Sequence, residues 1–273
     1  MTPRERWRAT LDGRTPDRPP CDYWGTVEVT ARLKRDLGCP DDRALWECLG
    51  IDKCIHLAPR HPRAAESDWH LQSLFSIWGV ETREIDYGCG TYQEAVRGPL
   101  ESAESPTDIE RFRWPEAEEW DLTGLRQQAL EWKDYPILCG SYEPFYLYSR
   151  MRGMERALAD RHHDDGAIRP LIPDLLDIGI DILNPIQWRC RGMDRAALAR
   201  DFGARVVFHG GIDNQQTLPF GTVEDVRREV EDNLALFSGC KGYIVAPCHN
   251  IQANTPTANI VAMYEAVNRK GAA

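Results

Sequence analysis

Arg205-Val206-Val207-Phe208-His209-Gly210-Gly211-Ile212-Asp213-Asn214 runs from β-branched apolar residues to an abrupt polar end. Gly242-Tyr243-Ile244-Val245-Ala246-Pro247-Cys248-His249-Asn250 does the same. Strands buried on both faces of a parallel sheet read as continuous apolar runs, not as alternating ones. In parallel α/β folds, ligands and catalytic groups gather where such strands end. His209, Asp213, Cys248 and His249 are therefore expected on one shared rim.

Working outward, a helix is expected over Val223–Phe237, where Val226, Val230, Leu234 and Phe237 share a face. Thr255-Pro256 caps a last helix with Ile260, Met263, Tyr264 and Val267 facing the core. Upstream, Thr2-Pro3-Arg4-Glu5 is a capping box with proline at the first helical position. Strands are expected near residues 21, 54, 137, 182, 206 and 243, alternating with helices. That alternation is the signature of a parallel α/β fold, and its closed form is the (β/α)8 TIM-type barrel. The stretch 75–96 departs from it: apolar and polar residues alternate around Gly79, Gly88 and Gly90, which reads as an inserted β-hairpin. No linker or low-complexity segment divides residues 1–273, so a single domain is expected.

Composition narrows the function classes. A net charge of −10 argues against nucleic acid or an anionic membrane surface as partner. No apolar run is long enough to span a bilayer, and the charged Arg4-Glu5-Arg6 opening is unlike a signal peptide, so a cytoplasmic location is expected. The 9 cysteines are scattered, without a C-x-x-C pair, and read as buried small apolar residues, Cys248 excepted. His56, His61 and His70 read as solvated loop residues.

Four groups of residues carry a family resemblance: Phe208–Thr222; Ala246–Pro256 with Asn259–Tyr264; Arg169–Asp174 with Asp181–Pro185; and Thr2–Arg6 with Pro16–Pro20. Together they resemble the uroporphyrinogen decarboxylase superfamily, which also holds the zinc-dependent cobamide methyltransferases. The resemblance implies a β/α barrel. It also implies that about two βα units, about 80 residues, are lacking between Asp160 and His162. A deletion, a segment absent from this sequence, or a smaller barrel would each account for the gap near 161; strand number, tilt and shear are linked, which disfavours the last.

In the methyltransferase branch a His-x-Cys-Gly turn and a later Cys hold zinc. Here the turn reads His163-Asp164-Asp165-Gly166, and the later position falls on His249. The resemblance thus implies His163, Asp165 and His249 as metal ligands, with zinc as cofactor and a corrinoid as substrate or protein partner. Two imidazoles and a carboxylate also suit other divalent metals. In the decarboxylase branch the His249 position contacts substrate, and an arginine-rich segment after the first strand binds carboxylates. Here that strand ends Asp22-Tyr23-Trp24-Gly25-Thr26-Val27-Glu28, which supplies acid instead.

Other expected site residues follow from strand ends. Glu143 is a candidate base or supporting carboxylate, and Asp213 a candidate ligand-binding acid. Trp24, Tyr142, Tyr146, Gln187, His209 and Asn250 are expected to line a substrate pocket. For Glu143 the alternative is a favourable charge at a helix N-terminus; for His209, a hydrogen-bonded structural residue. Three functions remain open at this stage. The first is metal-dependent methyl transfer. The second is decarboxylation of a porphyrin or aromatic acid by a carboxy-lyase. The third is an inactive, truncated barrel acting through partner binding, including homodimerisation at its open edges.

Overall fold

A computed structural model describes residues 1–57, 59–64, 75–86, 88, 91–139, 144–153 and 168–269. The expectations for Tyr142, Glu143, His163 and Asp165 lie outside the described residues, as does that for His70. The chain is mixed α/β and divides into two compact units. One lies within Met1–Cys54, Lys133–Pro136 and Asp164–Ala273, the other within Ile55–Trp132 and Ile137–His163.

The first unit is built on a parallel sheet in the order β5 (Ile182–Ile186), β6 (Val207–Ile212), β7 (Gly242–Pro247). Its register sets Ile182 beside Val207, and Val207 beside Gly242. All six residues of β6 are buried, as its unbroken apolar run requires. The extended segment at Cys21 joins the far edge: Asp22 N donates to Val245 O at 2.9 Å and Val245 N to Pro20 O at 3.0 Å. The last strand is thus paired with the first apolar segment of the chain. Among the described residues the strands form small sheets and do not close into a barrel.

Helices cover this sheet. α1 (Pro3–Leu11) starts with the Thr2/Glu5 capping box, and its Trp7 packs with Cys54, Val207 and Ile244. Asp52, wholly buried, takes salt bridges from Arg6 and Arg18 and a hydrogen bond from Cys21 N, which fixes the entry to the first segment. α2 (Val27–Leu37) and α3 (Asp42–Leu49) each end on a left-handed glycine, Gly38 and Gly50. The amphipathic helix read from Val223 is present over Val223–Leu236, opened by a Thr222/Asp225 capping box. The last helix spans Thr257–Arg269, with Ile260, Met263, Tyr264 and Val267 buried.

The second unit holds the parallel pair β1 (Ile55–Leu57) and β4 (Ile137–Cys139), and the antiparallel hairpin β2 (Glu81–Asp86) and β3 (Thr91–Arg97). The hairpin lies within the stretch whose alternation announced it, and Phe75, Val80 and Met151 form the unit's buried cluster. His61 departs from expectation. It is not solvated: its side chain is fully buried, edge-on to Trp120 with ring centroids 4.6 Å apart and 3.4 Å from a Glu119 oxygen. Loop composition signalled exposure, but the two residues that cover His61 come from a distant stretch of chain. No helix of the described residues is long and apolar enough to cross a membrane.

Candidate active site

Two polar clusters lie along the parallel sheet of the first unit. The first surrounds Asp22, which follows Cys21 into the sheet and is 2% exposed. Its Oδ1 accepts from Tyr23 N at 2.9 Å and Cys54 N at 3.0 Å, and lies 3.6 Å from Lys53 Nζ. Its Oδ2 accepts from Trp24 Nε1 at 3.0 Å and lies 3.3 Å from Nε2 of the buried His209. Burial by itself would raise the Asp22 pKa; the Lys53 ammonium and the His209 contact hold it well below the usual carboxylate range. An ionised carboxylate can only accept, so Nε2 carries the shared proton of the His209–Asp22 pair. His209 also packs between the rings of Trp7, at 5.9 Å, and Trp24, at 5.5 Å.

The second cluster occupies the carboxyl end of β5 and β6. Asp213, 3% exposed, accepts from Gln215 N at 2.9 Å and pairs with Arg189 Nε. Its own N–H donates to Glu229 Oε1 at 3.1 Å, and Trp188 Nε1 donates to the same oxygen at 3.1 Å. Glu229 projects from the Val223–Leu236 helix and is 7% exposed. Burial raises its pKa and outweighs the opposing hydrogen bonds from Thr217, Asp213 N and Trp188. The guanidinium carbons of Arg189 and Arg195 lie 4.5 and 4.1 Å from the Trp188 ring centroid. Arg195 bonds Asn233, which donates at 2.8 Å to Gly211 O, and Tyr243 donates at 2.8 Å to Gly210 O. Gly211 has φ +87°, and a Cβ there would meet the Tyr243 hydroxyl at 2.9 Å. The close packing of this network against the β6 backbone requires glycine.

At the end of β7, adjacent residues have opposite fates. The Cys248 thiol donates to Ile186 O at 3.1 Å, and burial pushes its pKa up to about 12. It is a locked structural thiol rather than a nucleophile. His249, next along, is exposed. Asn250 is half-buried, and its carbonyl accepts from Gln252 Nε2 at 3.1 Å. Trp24 and Gln187 are also half-buried. Tyr146 belongs to the second unit, with its ring 5.9 Å from that of Phe75 and Arg150 4.9 Å over it.

Sequence reasoning passed over Glu229, Trp188 as a hydrogen-bond donor, and the Arg189–Asp213 pair. One signal was available: Glu229 and Asn233 lie three and seven residues beyond Val226, on the apolar face of their helix. A charge on a core-facing stripe needs a partner inside.

The comparisons with known proteins bear on this arrangement. The family model for uroporphyrinogen decarboxylase (URO-D) matches residues 133–270, just over half of the chain and all of the β5–β7 sheet. This chain belongs to the URO-D family. Among solved structures it resembles a methyltransferase from Methanosarcina mazei, with a TM-score of 0.63 and 16% identity over 99% of both chains. At that identity the likeness shows a shared fold. No curated protein matches the sequence.

Proposed function

We propose that this URO-D family member is an enzyme of metal-dependent methyl transfer, acting on a corrinoid or a small methylated substrate at the carboxyl edge of β5–β7. The observation that carries the reading is the contrast between Cys248 and His249. The thiol is committed to Ile186 O, while the imidazole next to it is exposed at the end of β7. The neighbouring structure's description as a methyltransferase supports the same branch. The pairing of β7 with the Cys21 segment is what a β/α barrel requires where its last strand meets its first, so a barrel related to the (β/α)8 type is the fold proposed here.

The metal set carried over from the family is His163, Asp165 and His249. Of these, only His249 is among the described residues, and those residues hold no cluster of three His, Cys, Asp or Glu side chains able to bind a metal. The donors fit by chemistry: two neutral imidazoles and one carboxylate are ordinary zinc ligands. A bound zinc would supply Lewis acidity to a methyl donor or acceptor. The chain's own residues have separate work. Asp213 fixes the Arg189 guanidinium at the rim, Glu229 holds Trp188 and the Asp213 backbone, and Glu143 is the candidate base. Methyl transfer from methylcobalamin to a thiol acceptor is the assay. Loss of turnover in His249→Ala with unchanged folding is expected, and metal-independent turnover overturns the reading.

Decarboxylation is the second reading, and one observation favours it. The acid of the first strand would repel a polycarboxylate only if it faced the ligand. Asp22 is instead buried and matched by Lys53 and His209. In that reading His249 and Asp213 contact the substrate, and carbon dioxide release without added metal identifies it. A partner-binding role through open sheet edges predicts neither activity.

A further inference from the structure

The Arg189 guanidinium is held in an unusual way. Its Nε is committed to buried Asp213, which is itself fixed by Gln215 N, and its plane lies 4.5 Å from the Trp188 ring centroid. A guanidinium bound through Nε keeps its end-on edge, the outward N–H groups of its two terminal amino nitrogens, for another partner. Among the described residues those groups have no partner, and the Arg189 side chain is 43% exposed. The fork is thus rigid at one edge and open at the other, which is the geometry that receives a carboxylate or phosphate in bidentate fashion.

The surrounding charge favours the same ligand. Arg195 stands 4.1 Å from the same ring centroid and is bonded to neutral Asn233. Two guanidinium groups thus share one indole ring, and the neighbouring buried Glu229 is spent on the N–H groups of Trp188 and Asp213. The cluster stands at the carboxyl end of parallel strands, where α/β sheets bind ligands.

We propose that the Trp188–Arg189–Arg195 cluster is an oxyanion-binding subsite, which takes the carboxylate or phosphate of a small-molecule ligand on the open edge of Arg189. The inference rests on the proposed methyl transfer only for the reaction in which that ligand takes part; anion binding stands or falls separately from metal.

The test is titration of the full-length protein with benzoate, inorganic phosphate and uncharged benzamide, followed by calorimetry and by tryptophan emission. Wild type, Arg189→Gln, Arg189→Lys and Arg191→Gln are compared, with thermal unfolding to verify each fold. Arg191 is an exposed neighbour outside the cluster. Saturable binding of benzoate or phosphate, but not benzamide, is expected. It should weaken about tenfold or more in Arg189→Gln, and also in Arg189→Lys, which keeps the charge without the planar fork. Arg191→Gln should bind as wild type, and Trp188→Phe should remove most of the emission change. Preference for benzoate or for phosphate identifies which oxyanion the subsite takes. Absence of saturable anion binding by folded wild type overturns the proposal, as does equal affinity in Arg189→Gln or in Arg189→Lys should the former not fold. Anion binding by a folded wild type that takes up no zinc when equilibrated with it would overturn metal-dependent methyl transfer and leave this subsite in place.

Discussion

Asp22 and Glu229 are both buried carboxylates beside the same sheet, yet they are compensated in opposite ways. Asp22 meets an ammonium and an imidazole, and stays ionised. Glu229 meets the neutral N–H groups of Trp188 and Asp213, and is pushed towards its protonated form. Burial depth is similar at 2% and 7% exposure, so depth does not set the difference. The partners do. One carboxylate is part of a charge-matched interior; the other is a neutral-donor clamp that holds the rim residues in place.

The largest effect should come from Asp22→Ala. It leaves Lys53 and His209 facing an uncompensated cavity and should cost about 3–5 kcal/mol in urea unfolding. A cost within surface-mutation range would break the charge-matched half of the comparison.

Glu229→Ala comes next. It strips acceptors from the Trp188 and Asp213 N–H groups, each of which is expensive to bury unpaired, for about 1–3 kcal/mol. Glu229→Gln keeps a carbonyl for both donors and should cost under about 1 kcal/mol. Equal losses in both variants would mean that Glu229 acts through its charge, contrary to this account.

The smallest effect is in pH dependence, and its two signs are opposite. The folded pKa of Asp22 is depressed, so its stabilisation is present above its unfolded value of about 3.9 and is lost as pH falls through the folded value. The folded pKa of Glu229 is raised, so its contribution is full below an unfolded value of about 4.3 and is lost as pH rises through the folded value. The stability of Glu229→Gln relative to wild type should therefore improve as pH rises from about 4. That of Asp22→Asn should worsen as pH rises towards about 4 and stay level above it. Parallel pH profiles for the two variants would erase the distinction.

The same pair shows how far the sequence could be read. The runs before His209 and Cys248 located β6 and β7 because a doubly buried strand leaves an unbroken apolar signature. The hairpin was legible for a related reason, since alternation with glycines is a local pattern. Asp22 was read as an acid presented to ligand, because a strand end looks the same whether its side chain faces solvent or a lysine. Its partners Lys53 and His209 are distant in sequence, and no local pattern announces them. Glu229 left one local sign, its place on an apolar helix face, but its pairing with Trp188 and that of Arg189 with Asp213 were illegible for the same reason: a helix, a loop and a strand end meet only in the fold. His249 was singled out from the motif, while the commitment of the Cys248 thiol to Ile186 O emerged from packing.

Divalent-metal content is the measurement that tests the central claim most directly, made on purified wild type after equilibration with zinc and beside His163→Ala, His249→Ala and Cys248→Ala. The account predicts stoichiometric metal in wild type and in Cys248→Ala, whose thiol has a structural role, and little in either histidine variant. A well-folded wild type that holds no metal, or a His249→Ala variant that holds as much as wild type, would contradict it.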